Sequence, residues 1–258
     1  MSVIKSRDNA RVKRWAKLVS DSSARRSEKR AIVEGAHLVG EALQAGLKPL
    51  AFIVSESGLQ RAEIRRLVGK HEPVVLGDHI FGIVADAETP PGIAVEIDIP
   101  NASGDPKKPG VFLEGIQDPS NVGAILRTAA AFGIGEVVLD QGCADAWSSK
   151  ALRAAMGGHF KLALRRVADL ANELDGFQGR IVCTVSTRGL TLNEADLTGR
   201  LGWIFGAEGQ GVSEATAAKA AVRVTIPMAP GTESLNVAAA AAICLYADFT
   251  RRNSGSGS

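Results

Sequence analysis

Cysteine is scarce: Cys143, Cys183 and Cys244 are the three in 258 residues, far apart and with no Cys-x-x-Cys pair. An odd, scattered set excludes a disulfide framework and a thiolate zinc site, so buried, small apolar roles are expected for all three. The four histidines, His37, His71, His79 and His159, include no pair at metal-ligand helical spacing, and no metal is expected. Long hydrophobic runs are also missing. The longest, Val237 to Ala247, is too short to span a bilayer. Met1 to Val19 is polar and basic without a central apolar stretch, so no secretory signal is expected and a cytoplasmic, non-membrane protein is the reading.

With 45% hydrophobic and 22% charged residues, the composition is that of a folded globular protein of one large or two small domains. The net charge of +2 conceals an asymmetry. Residues 1–30 hold ten basic side chains against three acidic ones, a charge of +7, while the remainder holds 20 basic and 25 acidic, a charge of −5. A basic segment on a nearly neutral protein suits a polyanion, because Lys and Arg displace its counterions. Lys5, Arg7, Arg11, Lys13, Arg25, Arg26 and Arg30 are the candidate phosphate contacts. From charge alone, a solvated basic helix face is the competing reading.

Asp98 to Gly110, with three prolines and two glycines, reads as a linker between domains at about 1–100 and 109–250. The spacing of Val12, Trp15, Ala16 and Val19 predicts a helix, followed by a strand at 31–33 and a helix at 36–45. Further strands are expected at 51–54, 74–76 and 93–97, making a small α/β domain. The second domain alternates short apolar strands, at 111–113, 137–139, 181–185, 202–205 and 222–226, with helical stretches. A mainly parallel sheet covered on both faces follows, with ligands expected beyond the carboxyl ends of its strands. Residues 251–258 read as a flexible tail.

Three of these strands run into unusual loops. Leu113 to Thr128 carries Asp118-Pro119-Ser120-Asn121, where Ser120 or Asn121 fits a helix cap, and Arg127 six residues after Asn121. Six helical positions turn about 600°, short of two full turns, so the two residues meet only if Asn121 folds back from the cap. Trp203 to Ser213 places Gly206, Gly209 and Gly211 around Glu208, and glycines let a ligand approach the backbone closely. It lacks the Walker A and G-x-G-x-x-G spacings. Ile226 to Val237 ends in Ser234, a natural N-cap, with Asn236 expected in the first turn of an alanine-rich helix over 238–247. Such a helix permits very close packing, as in a dimer face or a tightly threaded chain. Singly, each loop also reads as plain capping.

Together and in this order, Asn-Val-Gly-Ala-Ile-Leu-Arg-Thr-Ala from Asn121, Phe-Gly-Ala-Glu-Gly-Gln-Gly-Val-Ser from Phe205 and Ile-Pro-Met-x5-Ser-Leu-Asn-Val-Ala from Ile226 resemble the three signature motifs of the SpoU/TrmH family of RNA ribose 2′-O-methyltransferases, in the SPOUT superfamily. The resemblance spans about 109–250. More loosely, Ser6 to Lys13 and Val33 to Val39 look like the family's small RNA-substrate-binding domain. The resemblance implies a trefoil-knotted methyltransferase domain, a homodimer with the active site built across its interface, and S-adenosylmethionine as methyl donor. A knot runs against the usual preference for unknotted connections. By residue it implies Asn121, Arg127, Glu208, Ser234 and Asn236 around the reacting ribose, and Thr184, Gly206, Gly209, Ile226, Met228 and Leu235 around the cofactor. Ala207 stands where the family often has Asn.

The implied reaction is an in-line displacement in which a ribose 2′-hydroxyl attacks a sulfonium methyl, so the protein must position the hydroxyl and assist loss of its proton. Arg127 is the family's proposed base. A guanidinium surrenders its proton poorly, and binding phosphate or stabilising developing charge is the physically easier role. Asn121, Ser234 and Asn236 are expected to orient Arg127 and the ribose, and Glu208 to fix the loop or the arginine. The two-domain layout favours 23S ribosomal RNA as substrate. A tRNA enzyme, an antibiotic-resistance rRNA methylase and a non-catalytic RNA-binding ribosome-assembly factor are the alternatives.

Overall fold

The computed structural model describes residues 2–87, 89–101 and 103–254. Contacts divide it into two units, one formed by the described residues up to Ile99 with Asp145–Phe160, the other by those from Pro100 to Ala144 and from Lys161 onward.

The first unit begins β1 (Val3–Ile4), α1 (Ala10–Ser20), α2 (Ser22–Glu28), β2 (Arg30–Glu34), α3 (Ala36–Gln44) and β3 (Ala51–Ser55). It continues with α4 (Glu56–Leu59), α5 (Ala62–Val68), β4 (Val74–Leu76), α6 (Asp78–Phe81) and β5 (Ile93–Asp98). Asn9 caps α1 by accepting the Arg11 N–H at 2.9 Å. Val12, Trp15 and Leu18 recur at helical spacing, which turns them together into a core with Ile32, Ile53, Leu76 and Phe81. The sheet order is β1-β4-β3-β5-β2, with β5 antiparallel to both neighbours. Glu96, buried on β5, accepts from Trp15 Nε1 at 2.8 Å and from the Arg14 fork at 2.7 and 3.1 Å. Burial alone would raise its carboxyl, but Arg14, Trp15 and Arg30 outweigh it and hold the group below its ordinary value.

The second unit opens with β6 (Gly110–Glu114), α7 (Pro119–Ala131) and β7 (Glu136–Leu139). The following segment, which carries α8 (Ser149–Ala155), belongs to the first unit. There Asp145 receives Arg25 at 2.7 Å, Ser149 donates to buried Glu34 at 3.1 Å, and Arg153 donates to Asp86 at 2.9 Å. Burial raises the Glu34 carboxyl.

Beyond it come β8 (Ala163–Arg166), α9 (Leu170–Asp175), β9 (Arg180–Thr184), β10 (Leu201–Gly206), α10 (Glu214–Ala217), β11 (Val222–Val224) and α11 (Val237–Ser254). All pairings in the sheet β11-β9-β10-β6-β7-β8 are parallel, as the unbroken apolar strand runs predict. The register sets Gly206 against Glu114, so two of the motif loops leave the same edge side by side. β1 and β8 were not anticipated, and β11 stops at Val224 rather than Ile226. The tail expected from 251 is corrected: Arg251–Ser254 form the last turn of α11, where Arg252 donates to the Phe132 carbonyl at 2.9 Å and Arg251 to that of Leu192. Gly255–Ser258 lie outside the described residues. No helix among the described residues is long and apolar enough to cross a membrane.

Candidate active site

At the carboxyl edge of the parallel sheet, β6 hands the chain to α7 through Asp118, which caps the helix by accepting the Ser120 N–H at 2.8 Å. The expected cap at Ser120 or Asn121 is thereby corrected. Pro119 at the first helical position needs no N–H partner and fits there, which moves the cap one residue earlier and places Asn121 in the first turn.

The loop after β10 folds tightly: the Gly211 N–H reaches the Ala207 carbonyl at 2.8 Å. A Cβ at Gly206 would stand 2.2 Å from the Gly211 backbone, so no side chain fits there, while Gly209, with open space around it, is held at φ +87°, a conformation that strains any side-chain-bearing residue. Its far foot is anchored by Glu114, which accepts the Ser213 N–H and Oγ–H and the Thr216 Oγ–H, each at 2.7 Å.

The third loop ends at Asn236, whose Oδ1 accepts the N–H groups of Ala238 at 2.9 Å and Ala239 at 3.3 Å. Asn236 is therefore the cap of α11, and the expected cap at Ser234 is corrected. Local sequence does not separate these two polar residues. The third loop's approach to Glu208 does, because the Asn236 amide donates to Glu208 Oε1 at 2.8 Å and to Asn121 Oδ1 at 3.0 Å. The same Glu208 oxygen accepts from Asn121 Nδ2 at 2.9 Å and from the Val237 N–H at 3.4 Å. One carboxylate oxygen thus joins all three loops.

Behind this hub lies a cavity of about 530 Å³. All six residues expected around the cofactor, Thr184, Gly206, Gly209, Ile226, Met228 and Leu235, line it, as do Glu208 and Ser234. Thr184 spends its hydroxyl hydrogen on the Ile204 carbonyl at 2.9 Å. Glu114, Ser213 and Glu233 were not singled out from sequence. For Glu114 the available signal was a carboxylate closing an otherwise apolar strand. Burial pushes the Cys143 and Cys244 thiols up to about 12 and that of Cys183 to about 11, so none supplies a thiolate. No group of three or more His, Cys, Asp or Glu among the described residues is arranged to hold a metal ion.

Arg127 stands apart. It is exposed on α7, does not line the cavity, and makes no hydrogen bond or ion pair among the described residues. Within this chain the Asn121 and Asn236 amides are turned to Glu208 rather than to Arg127, which six helical positions carry to another face of α7.

The basic set also divides. Lys5, Arg7, Arg11, Lys13 and Arg26 are exposed, Lys13 pairing with Asp8 at 2.8 Å. Arg25 is corrected as a phosphate contact: it is 4% exposed, and donates to Asp145 and to the Leu18 and Val19 carbonyls. Arg30 is corrected likewise, being half-buried on β2 and paired with Asp98 and Glu96.

The SpoU rRNA Methylase family model matches residues 109–246, and an MRM3-like substrate binding domain matches residues 9–95. A 23S rRNA (guanosine(2553)-2′-O)-methyltransferase, RlmP of Bacillus subtilis, is 32% identical over 248 residues, covering 95% of this chain and 98% of its own. The crystal structure of an RNA 2′-O ribose methyltransferase superposes with a TM-score of 0.82 at 26% identity, covering 98% of this chain and 100% of the other. The SpoU methyltransferase AviRb of Streptomyces viridochromogenes, solved with AdoMet, shares the fold at a TM-score of 0.87 and 23% identity, over 95% and 99% of the two chains. With a family match over more than half its length and a relative aligned along nearly all of both chains, this protein belongs to the SpoU rRNA methylase family.

Proposed function

We propose that this protein transfers a methyl group from S-adenosylmethionine to a ribose 2′-hydroxyl of 23S ribosomal RNA. The observation that carries the reading is the convergence of Asn121, Asn236 and the Val237 N–H on Glu208 Oε1 at the cavity between the glycine loop and the third loop. The cavity suits the cofactor. Val185, Val212, Ile226 and Leu235 offer an apolar wall for adenine, the glycine turn offers backbone groups without side-chain obstruction, and two lining carboxylates suit a cation. When bound, S-adenosylmethionine supplies a methyl group on a sulfonium that departs without acid assistance.

The residues then divide their work by hydrogen-bond counting. Asn236 has both amide hydrogens and both oxygen lone pairs engaged, so it is a positioning residue that locks the third loop. Asn121 keeps one N–H and one lone pair free, and Glu208 keeps Oε2, so these face the ribose. Arg127, free of internal partners, is available to a phosphate or to charge developing on the 2′-oxygen. Exposed Lys5, Arg7, Arg11, Lys13 and Arg26 hold the RNA backbone. The domains at about 1–100 and 109–250, the latter apart from Asp145–Phe160, which belongs to the first unit, serve substrate binding and transfer.

A homodimer and a trefoil knot complete this reading. Family membership supports the knot; the homodimer is supported by the absence of Arg127 from the cavity of its own chain and the exposure of Ile243 (40%) and Tyr246 (58%) on the alanine-rich α11, which packs against α7. In this reading a second copy docks on that face and supplies the Arg127 that this chain's own cavity lacks. Large-subunit rRNA is favoured over tRNA by end-to-end similarity to a 23S rRNA enzyme.

The test is incubation with labelled S-adenosylmethionine and separated, unmodified rRNA and tRNA pools, then nuclease digestion. Labelled 2′-O-methyl nucleotides from 23S rRNA are expected. Label in tRNA overturns the substrate, and no binding of S-adenosylmethionine overturns the enzyme.

A further inference from the structure

Glu208 and Glu233 are the only charged side chains among the described residues lining the 530 Å³ cavity; no Lys, Arg or His joins them. Glu208 is already engaged, its Oε1 surrounded by neutral N–H donors. Glu233 is exposed and has no hydrogen bond or ion pair among the described residues. The charge on this lining is therefore negative and balanced by no basic side chain. Such a cavity favours a cation over a neutral molecule of the same shape.

The proposed reaction converts the first into the second. The ribose oxygen gains the methyl carbon, the S–CH3 bond breaks with its electron pair left on sulfur, and the hydroxyl proton passes to solvent water. The sulfonium donor thereby becomes a neutral thioether, S-adenosylhomocysteine, while the ammonium and carboxylate at the amino-acid end are common to both. We infer that Glu233 is a specificity-determining residue, whose unpaired carboxylate favours the sulfonium donor over the demethylated product. This rests on the cofactor reading above. It gives the loop between β11 and α11 a second task, promoting exchange of spent for fresh donor after each transfer.

The experiment is calorimetric titration of the full chain with S-adenosylmethionine and, separately, S-adenosylhomocysteine, for the unsubstituted protein, Glu233→Gln and Glu233→Asp. Glu233→Gln is expected to weaken donor binding about five-fold while leaving product binding within about two-fold, the effect of one solvent-screened charge on another. Glu233→Asp keeps the charge and is expected to keep the preference. Equal weakening of both ligands, no change in either, or loss of the preference in Glu233→Asp overturns the inference and leaves the cofactor reading intact. Failure of the unsubstituted protein to bind either ligand removes both.

Discussion

The Asn236 amide donates to Glu208 Oε1 at 2.8 Å while its own carbonyl oxygen caps α11, so one side chain joins the glycine loop to a helix start. Asn236→Ala removes a cap and a charge-assisted bond together, and is expected to destabilise the protein by about 2 kcal/mol as well as to lower transfer. Asn121 caps nothing, since Asp118 has that role. Asn121→Ala removes its bond to Glu208 but no cap, and is therefore expected to cost about 1 kcal/mol, less than Asn236→Ala, and to lower transfer at least about ten-fold. Thermal melts beside methyl-transfer rates separate the two, and equal stability losses would contradict the assignment.

Arg127 offers the opposite combination. Exposed and without an internal partner, it contributes little to the fold, so Arg127→Ala is expected to melt within about 0.5 kcal/mol of the unsubstituted protein. Calorimetry is expected to show unchanged S-adenosylmethionine affinity, and transfer is expected to fall about 100-fold or more. A variant that retains transfer makes Arg127 dispensable.

Two arginines one residue apart carry different loads. Arg25→Ala leaves Asp145 without its buried partner and is expected to cost about 3 kcal/mol, read as a lower urea midpoint. Arg26→Ala together with Arg7→Ala and Arg11→Ala leaves the midpoint in place. It is expected to weaken RNA binding and to flatten the salt dependence by about 0.7 per lost phosphate contact. Unchanged salt dependence removes the basic surface from the RNA account.

The first unit should also lose stability in mild acid. His159 is enclosed by Trp147 and Phe160, one ring nitrogen meets the Ala146 carbonyl, Nδ1 has no partner, and burial depresses its pKa to about 4. An unfolded chain protonates the same ring at about 6.5. As pH falls from about 6.5 to 4, the unfolded state binds a proton that the native state refuses, and stability present above that window is lost, by about 3 kcal/mol. Urea unfolding at pH 7 and pH 4.5 is expected to show a smaller decline in His159→Phe. An identical decline in both proteins excludes this histidine as the cause.

The strands of the second unit were legible because parallel strands buried on both faces must be apolar throughout, as in Val137 to Leu139. β8 escaped because its sequence, Ala-Leu-Arg-Arg, is half charged, with Arg165 answered by Glu136 on β7, 29 residues earlier, and by Glu173 on α9. The three motif loops were legible as a set, yet their internal wiring was not. That Glu208, not Arg127, receives both asparagines depends on the register of β6 against β10 and on the path of the third loop. Arg25 was misread for a related reason: an arginine in a basic helix reads as solvated, and its partner lies 120 residues later.

The most direct test of the central claim is quantitative mass spectrometry of ribose methylation in unmodified 23S rRNA incubated with S-adenosylmethionine and either the unsubstituted protein or Glu208→Ala. Time-dependent 2′-O-methylation at a defined nucleotide is expected with the unsubstituted protein. A fall of about 100-fold is expected with Glu208→Ala, because the three loops lose their common acceptor. Equal methylation by both would mean that the Glu208 hub does not build the active site.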